Sequence, residues 1–308
     1  MKALKEGLPQ SLDILAVQEL TDTLKSHLST GHRSTQLHDQ QNESGGGIGT
    51  SGVDYGCGIY HDYPESKWNA VFHGTLNYHD TVMGRTIAFT VLQNGKHFVV
   101  FCSTHLESFV REYNGEVYHG IKERELQLSE GKAFIEEMCK IIGQFGGCEK
   151  VIGVVCGDMN WDDKPGPRGG KCKDKDMISL LDDKWKDAWI SSKGNEDYGY
   201  TYDGKLNAML QNSLRKRFDR VLIHDSSPSF GVTIESVTMT GTKVIPNLLH
   251  TKTGWGGKPG KEVPVMVSDH FGLFVELTIR KGESKEGREM MESACGDAKR
   301  RKVEHLLK

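Results

Sequence analysis

The chain has 308 residues, a formal net charge of −3 and 36% hydrophobic residues. That length suits one large α/β domain or two small ones, and no apolar run approaches the ~20 residues that a membrane-spanning helix needs. The slightly acidic balance excludes a protein that coats long stretches of nucleic acid through a global positive field, so any such contact must be local.

The first predicted element is the apolar strand SLDILAVQEL (11–20), which ends at Gln18-Glu19. Residues from about 31 to 55 are poor in aliphatics and rich in Gly, Ser and Gln, and read as a mobile insertion. GCGIYH, RTIAFTVLQ and HFVVFCSTHL are strand-like runs, and the last two are joined through Asn94-Gly95, a strong hairpin turn. Between Ile121 and Phe145 apolar residues recur at helical spacing (Leu126, Leu128, Ala133, Phe134, Ile135, Met138, Ile141, Ile142). The run from Val151 to Cys156 then predicts a strand buried on both faces. It runs straight into Asp158, Asn160, Asp162 and Asp163, which read equally as a cation or phosphate site and as an ordinary turn.

Beyond a Gly/Lys-rich loop, LLDDKWKDAWI carries Trp185 and Trp189, which are expected to pack into the core. RFDRVLIH, GVTIESVTM and HFGLFVELTI supply three more strands. Residues 281–308 form a charged tail, expected to be disordered, whose KRRK reads either as a nuclear import signal or as a solvated run. The amino terminus MKALKEGLPQ lacks the apolar core of a signal peptide, so nucleus or cytoplasm is the expected location. The seven cysteines are odd in number and contain no CxxC pair; Cys57, Cys102 and Cys156 lie in apolar runs and are expected to be reduced core residues. Strands outnumber helices and several meet through hairpins, which predicts mixed or antiparallel sheets covered by helices.

Four of these strand ends carry polar groups of one kind. Glu19 ends the first strand, His105 and Glu107 end HFVVFCSTHLE, Asp158 and Asn160 end the central strand, and Asp269-His270 precede the last one. Each alone is weak, since acids at strand ends are commonly caps. Together they fit the attack of water on a phosphodiester: a hard cation takes carboxylate oxygens, while amide and imidazolium groups stabilise charge on phosphate oxygens.

Four segments, in this order, carry a resemblance: Val17-Gln18-Glu19, Gly157-Asp158-Met159-Asn160, Phe218-Asp219-Arg220 and Ser268-Asp269-His270. The chain resembles the endonuclease/exonuclease/phosphatase superfamily. With STHLES, KERELQL, YTYDGKLNAML and LRKRFDRVLI added, it is similar to the tyrosyl-DNA phosphodiesterase 2 branch in its plant-like form, over residues 11 to about 280. The resemblance implies a four-layered α/β sandwich, two packed mixed β-sheets flanked by helices, as one catalytic domain over 1–280. It implies Mg²⁺, with Mn²⁺ as an alternative, bound by Glu19 with Asp269 in or just behind the metal site. Asp158 and Asn160 would orient or deprotonate the attacking water, Asp219 would pair with His270 so that it meets the phosphate, and His105 would hold a phosphate oxygen. Arg215, Lys216, Arg217 and Arg220 would contact a single-stranded DNA end. The implied partner is DNA whose 5′ end bears a tyrosine adduct left by topoisomerase II, acted on by a monomer.

The superfamily's first motif, a strand bearing an asparagine before the QE strand, has no counterpart here; the first asparagine is Asn42. A truncated gene model or a shortened isoform is the expectation, with apolar neighbours of the missing strand left open. Two alternatives accompany this reading. One is another superfamily phosphodiesterase or phosphatase, acting on RNA ends, inositol phosphates or sphingomyelin; the other is a non-catalytic member that binds DNA ends.

Overall fold

The structure, a computed structural model, describes residues 12–20, 56–61, 66–113, 116–161, 177–194, 197–225, 231–252 and 260–279. The predicted insertion, the charged tail with its KRRK, and Asp162 and Asp163 lie outside the described residues. In chain order the strands begin with β1 (Ile14–Leu20), β2 (Gly56–His61), β3 (Asn69–Asn77), β4 (Thr86–Asn94) and β5 (His97–His105). Two short strands follow, β6 (Val110–Tyr113) and β7 (Glu116–Tyr118), then helix α1 (Ile121–Gly143) and β8 (Lys150–Asp158). The remainder comprises β9 (Trp185–Asp187), α2 (Ala188–Lys193), β10 (Tyr202–Asp203), β11 (Arg215–Lys216), β12 (Asp219–His224), β13 (Val232–Thr240), β14 (Leu249–Thr251), β15 (Glu262–Pro264) and β16 (Gly272–Ile279).

One mixed six-stranded sheet, in the order β3-β4-β5-β8-β12-β9, organises the molecule. Its central strands are rich in Val and Ile and bury both faces, so their side chains divide between two cores with the strand period of two. On β5, Val100 and Cys102 face α1, joining Leu128, Ile135, Cys139 and Ile142 of the helix. Val99 and Phe101, with Ile152, Val154 and Cys156 of β8, face the other way. The β4–β5 hairpin turns at Gly95, whose φ of 58° is the left-handed conformation the Asn-Gly turn requires. Trp185 and Trp189 are buried, and five cysteines of the described residues, Cys57, Cys102 and Cys156 among them, are free thiols, as the sequence predicts. None of the described helices is long and apolar enough to cross a membrane.

The second face is covered by two separate antiparallel ladders, β1–β2 and β13–β16, rather than by one continuous sheet. The expected two packed sheets are therefore present, but the second is split. A groove of about 1340 Å³ runs between β1 and β16, floored by residues of the six-stranded sheet such as Phe101, Val154 and Val221. Among the described residues, neither the outer edge of β1 nor that of β16 has a strand partner. Ile14, Leu15, Ala16 and Val17 are only half-buried as a result. This is the opening that the lack of a strand predicts.

β5 and β8 run parallel and place His105 beside Asp158; β8 and β12 run antiparallel and place Asp219 on the other side of Asp158. Three neighbouring strand ends thus deliver the polar row. Gly157, just before Asp158, has φ 138°, and a Cβ there would collide with the backbone carbonyl oxygen of Thr104. Backbone cannot yield as a flexible side chain can. Gly157→Ala is expected to cost about 3 kcal/mol or more of stability and to push Asp158 out of line, read as a lowered urea midpoint. A midpoint unchanged from the parent would refute the close approach.

Candidate active site

Gln18 and Glu19 divide two tasks. Gln18 Nε2 donates to Ser103 Oγ at 2.9 Å and ties β1 to β5. Glu19 follows at φ 54°, within a β-bulge against β2, which turns its side chain out of the strand's alternation. Asn160 is a second non-glycine residue with positive φ, 47°. Strained backbone of this kind concentrates at functional sites because the surrounding structure holds it in place.

Asp158 sits at the centre, nearly buried. Its Oδ1 accepts the Asn160 backbone N–H at 2.8 Å, and its Oδ2 lies 3.4 Å from His105 Nε2 and 3.9 Å from His270 Nδ1. Burial, and next the neighbouring Asp219 carboxylate, push the Asp158 carboxyl up to about 7. His270 Nδ1 is hydrogen-bonded to Asp219 Oδ2 at 2.8 Å. Burial opposes its charge, but the bond to Asp219 and the carboxylates of Asp219, Asp158 and Asp269 outweigh it and raise the imidazole to about 10. His270 is therefore an imidazolium at neutral pH, with Phe218 stacked 6.1 Å from its ring and Tyr202 edge-on at 5.2 Å. His105 behaves oppositely: at 5% exposure, burial and then the positive Arg85 and His270 hold it well below the ordinary histidine range, so it is neutral. Its Nδ1 has no hydrogen-bond partner and stands 4.0 Å from Glu19 Oε1.

Asp269 is exposed and near Glu19, whose carboxyl is raised by burial and then by the Asp269 charge. Glu19, Asp158, Asp219 and Asp269 thus crowd four carboxylates into one place, opposed by His270 and Arg85. An all-oxygen donor set with mutual repulsion suits a hard divalent cation. Ligand atoms of Asp158, Asp219 and His270 come within 4.8 Å of one another, but a protonated His270 offers no lone pair, so Glu19 and Asp269 are the better ligands.

The structure corrects the basic stretch. Arg217 and Arg220 are only 3% and 1% exposed, and both guanidinium groups meet Asp187 Oδ2, at 2.7 and 3.1 Å. Arg220 also donates to the Trp161 carbonyl. Two of the four expected DNA contacts are core ion pairs instead, because these side chains turn toward β9 and not toward solvent. Arg215 is exposed, bonds Asp203 and lies 4.3 Å over the Tyr200 ring, and Lys216 is half-buried. These two remain on the surface.

Sequence reading missed the residues that hold the site in place. Arg85 is 6% exposed, its Nε has no hydrogen-bond partner, and its charge acts on Glu19, Asp158 and His105. The loop before it is fastened by Glu107, fully buried, whose carboxylate accepts from Thr81 Oγ1 and the backbone N–H groups of Val82 and Met83. Asn207 Nδ2 donates to the carbonyls of Ser268 and Asp269, and Thr201 Oγ1 accepts the Asp219 N–H. Clamped in this way, Asp219 and His270 keep their pairing. The only advance signal was the polar LxS pattern around Glu107 and the Asn of KLNAML, neither of which indicates its partner.

No protein-family model and no curated protein sequence matches the chain. Solved structures do. Truncated TDP2 of Caenorhabditis elegans superposes with a TM-score of 0.55 at 19% identity, over 87% of this chain and 84% of that one. TDP2 of D. rerio, complexed with a single-strand DNA product, gives 0.57 at 18%, over 86% of each chain. The endonuclease/exonuclease/phosphatase from Bacteroides vulgatus gives 0.51 at 16%, over 87% and 85%. The chain has the endonuclease/exonuclease/phosphatase fold. Within that fold its likeness extends to TDP2 structures from two animals.

A divalent cation and pH should act together here. Raised carboxyl values mean the folded state keeps protons that the unfolded chain has released, so stability falls as pH rises toward about 7 at Asp158. Cation binding must displace those protons. Mg²⁺ is expected to raise the melting temperature by several degrees at pH 8, about 2–4 °C per kcal/mol of linked binding, and by less than half as much at pH 5.5. Equal shifts at the two pH values, measured by scanning fluorimetry, would contradict the carboxylate site.

Proposed function

We propose that the chain is a Mg²⁺-dependent phosphodiesterase that hydrolyses the 5′-phosphotyrosyl bond between DNA and a trapped topoisomerase II, leaving a 5′-phosphate, as a nuclear DNA-repair enzyme. The observation that carries the reading is the row His105–Asp158–Asp219, with His270 held as an imidazolium beside Asp158 and Glu19 opposite. The likeness to a TDP2 that was solved with a single-strand DNA product supports DNA as the substrate class.

Glu19 and Asp269 would hold the cation, which supplies positive charge to the phosphate when bound. Asp158, with a proton affinity near neutrality, is placed to orient the attacking water and take its proton, and Asn160 fixes the Asp158 carboxylate through its backbone N–H. His270, fixed by Asp219, presents an N–H to charge that develops on the phosphate oxygens. Arg85 adds a second fixed positive charge with a free Nε donor. Arg215 and Lys216 are the remaining candidates for the DNA backbone.

The test is single-turnover release of tyrosine from a 5′-phosphotyrosyl oligonucleotide, with Mg²⁺ and with chelator. Mg²⁺-dependent release is the expected result. Hydrolysis of a generic phosphodiester without tyrosine release would assign another substrate, and binding of the oligonucleotide with no hydrolysis at all would make the chain a DNA-end-binding protein.

A further inference from the structure

We propose that the groove between β1 and β16 is a strand-acceptor site: it takes one extended segment of a partner polypeptide, apolar at alternate residues and free of acidic residues at the end nearest Glu19. The argument starts from the two walls. β1 has seven residues and β16 eight, so each presents an open edge ~25 Å long, and no ladder joins them. Glu19 at the end of β1 and His270 just before β16 lie in one cluster, so the two walls run in opposite directions. A segment laid between them would pair parallel with one wall and antiparallel with the other, joining two two-stranded ladders into a single five-stranded sheet.

The floor decides the chemistry of the occupant. Val99, Phe101, Ile152 and Val154 rise from the six-stranded sheet, and Ala16 and Val275 flank them. Inward side chains must be apolar, and with the strand period of two this means every second residue. Charge complementarity fixes one end, because Glu19, Asp158, Asp219 and Asp269 repel a further carboxylate. At about 1340 Å³ the space exceeds the ~300–1,000 Å³ of ordinary small-molecule pockets. A second copy of the chain could offer the edge of a folded sheet to one wall but not to both, whereas a single extended segment satisfies both edges by β-augmentation.

The probe is a synthetic, end-capped peptide of about nine residues, Lys-Val-Thr-Val-Thr-Ile-Thr-Val-Lys, long enough for either wall. Amide hydrogen exchange is followed on the full chain, with a control peptide carrying proline at two of the threonine positions. The expected result is fast exchange of β1 and β16 amides relative to β5 and β8 in the chain alone, slowed at least tenfold by the peptide and not by its proline form. Val275→Arg, and independently Ala16→Arg, should abolish that protection while the circular-dichroism spectrum is retained. Slow exchange of both edges in the chain alone would mean that the groove is already filled and would overturn the proposal, as would equal protection by the proline peptide. Sedimentation as a dimer, with both edges protected only at high protein concentration, would assign the walls to a second copy and overturn it too. None of these readouts depends on catalysis, so they stand or fall apart from the phosphodiesterase reading.

Discussion

Asp158→Asn should slow single-turnover tyrosine release by about three to four orders of magnitude while leaving the chain folded. The substitution keeps the volume of a nearly buried side chain and keeps an oxygen for the Asn160 N–H at 2.8 Å. It removes the charge. That charge balances the His270 imidazolium and gives the site its one carboxylate with a proton affinity near neutrality. At pH 8 the parent chain carries an ionised carboxylate in a place that resists it, so the variant should melt at the same temperature or higher. Loss of activity joined to retained or increased stability is the signature of a group kept for chemistry at the cost of folding. Rates from quenched-flow and melting curves from the same preparations check both halves. A rate within tenfold of the parent would remove Asp158 from the reaction, and an equal loss of stability would reduce it to a structural role.

How much of this was legible beforehand follows from how local each signal is. β4, β5, β8 and α1 declare themselves because each buries a face through its own period, and Asn94-Gly95 announces the hairpin with its own backbone preference. β3 did not, since Val71, Phe72 and Leu76 are exposed on an edge strand and a bulge between Ala70 and Phe72 breaks the alternation. The polar row was readable because its members sit at strand ends in fixed register. Arg85 was not: it follows a loop whose shape is imposed by Glu107, more than twenty residues later in the chain. Charge was the most misleading signal. LRKRFDR looks like a basic surface until the fold brings Asp187 to it from thirty residues upstream. The split second sheet lies between these cases, because the sequence lacks a strand but only the packed structure shows two open edges facing one groove.

Asp187→Ala tests that misreading most directly, and it should be the most destabilising substitution outside the apolar core. Asp187 Oδ2 meets both Arg217 and Arg220, and its Oδ1 accepts the Ile190 N–H as the N-cap of α2. Alanine would leave two guanidinium groups buried without a counter-charge, for which ~3–5 kcal/mol is the usual cost of stranding one partner, and would remove a cap that contributes ~1 kcal/mol. Against a total stability of about 5–15 kcal/mol, this leaves a chain that is marginal at 37 °C. The urea midpoint measures it. Asp187→Asn, which keeps the cap and the volume, should fall between the variant and the parent. Arg217→Met then separates the two roles of the basic stretch: a buried structural arginine predicts a changed urea midpoint with unchanged affinity for a single-stranded oligonucleotide, whereas a phosphate contact predicts weaker, less salt-dependent binding at an unchanged midpoint. Should the second pattern appear, Arg217 reaches the DNA by leaving Asp187, and the loop that precedes Asp219 moves when substrate binds.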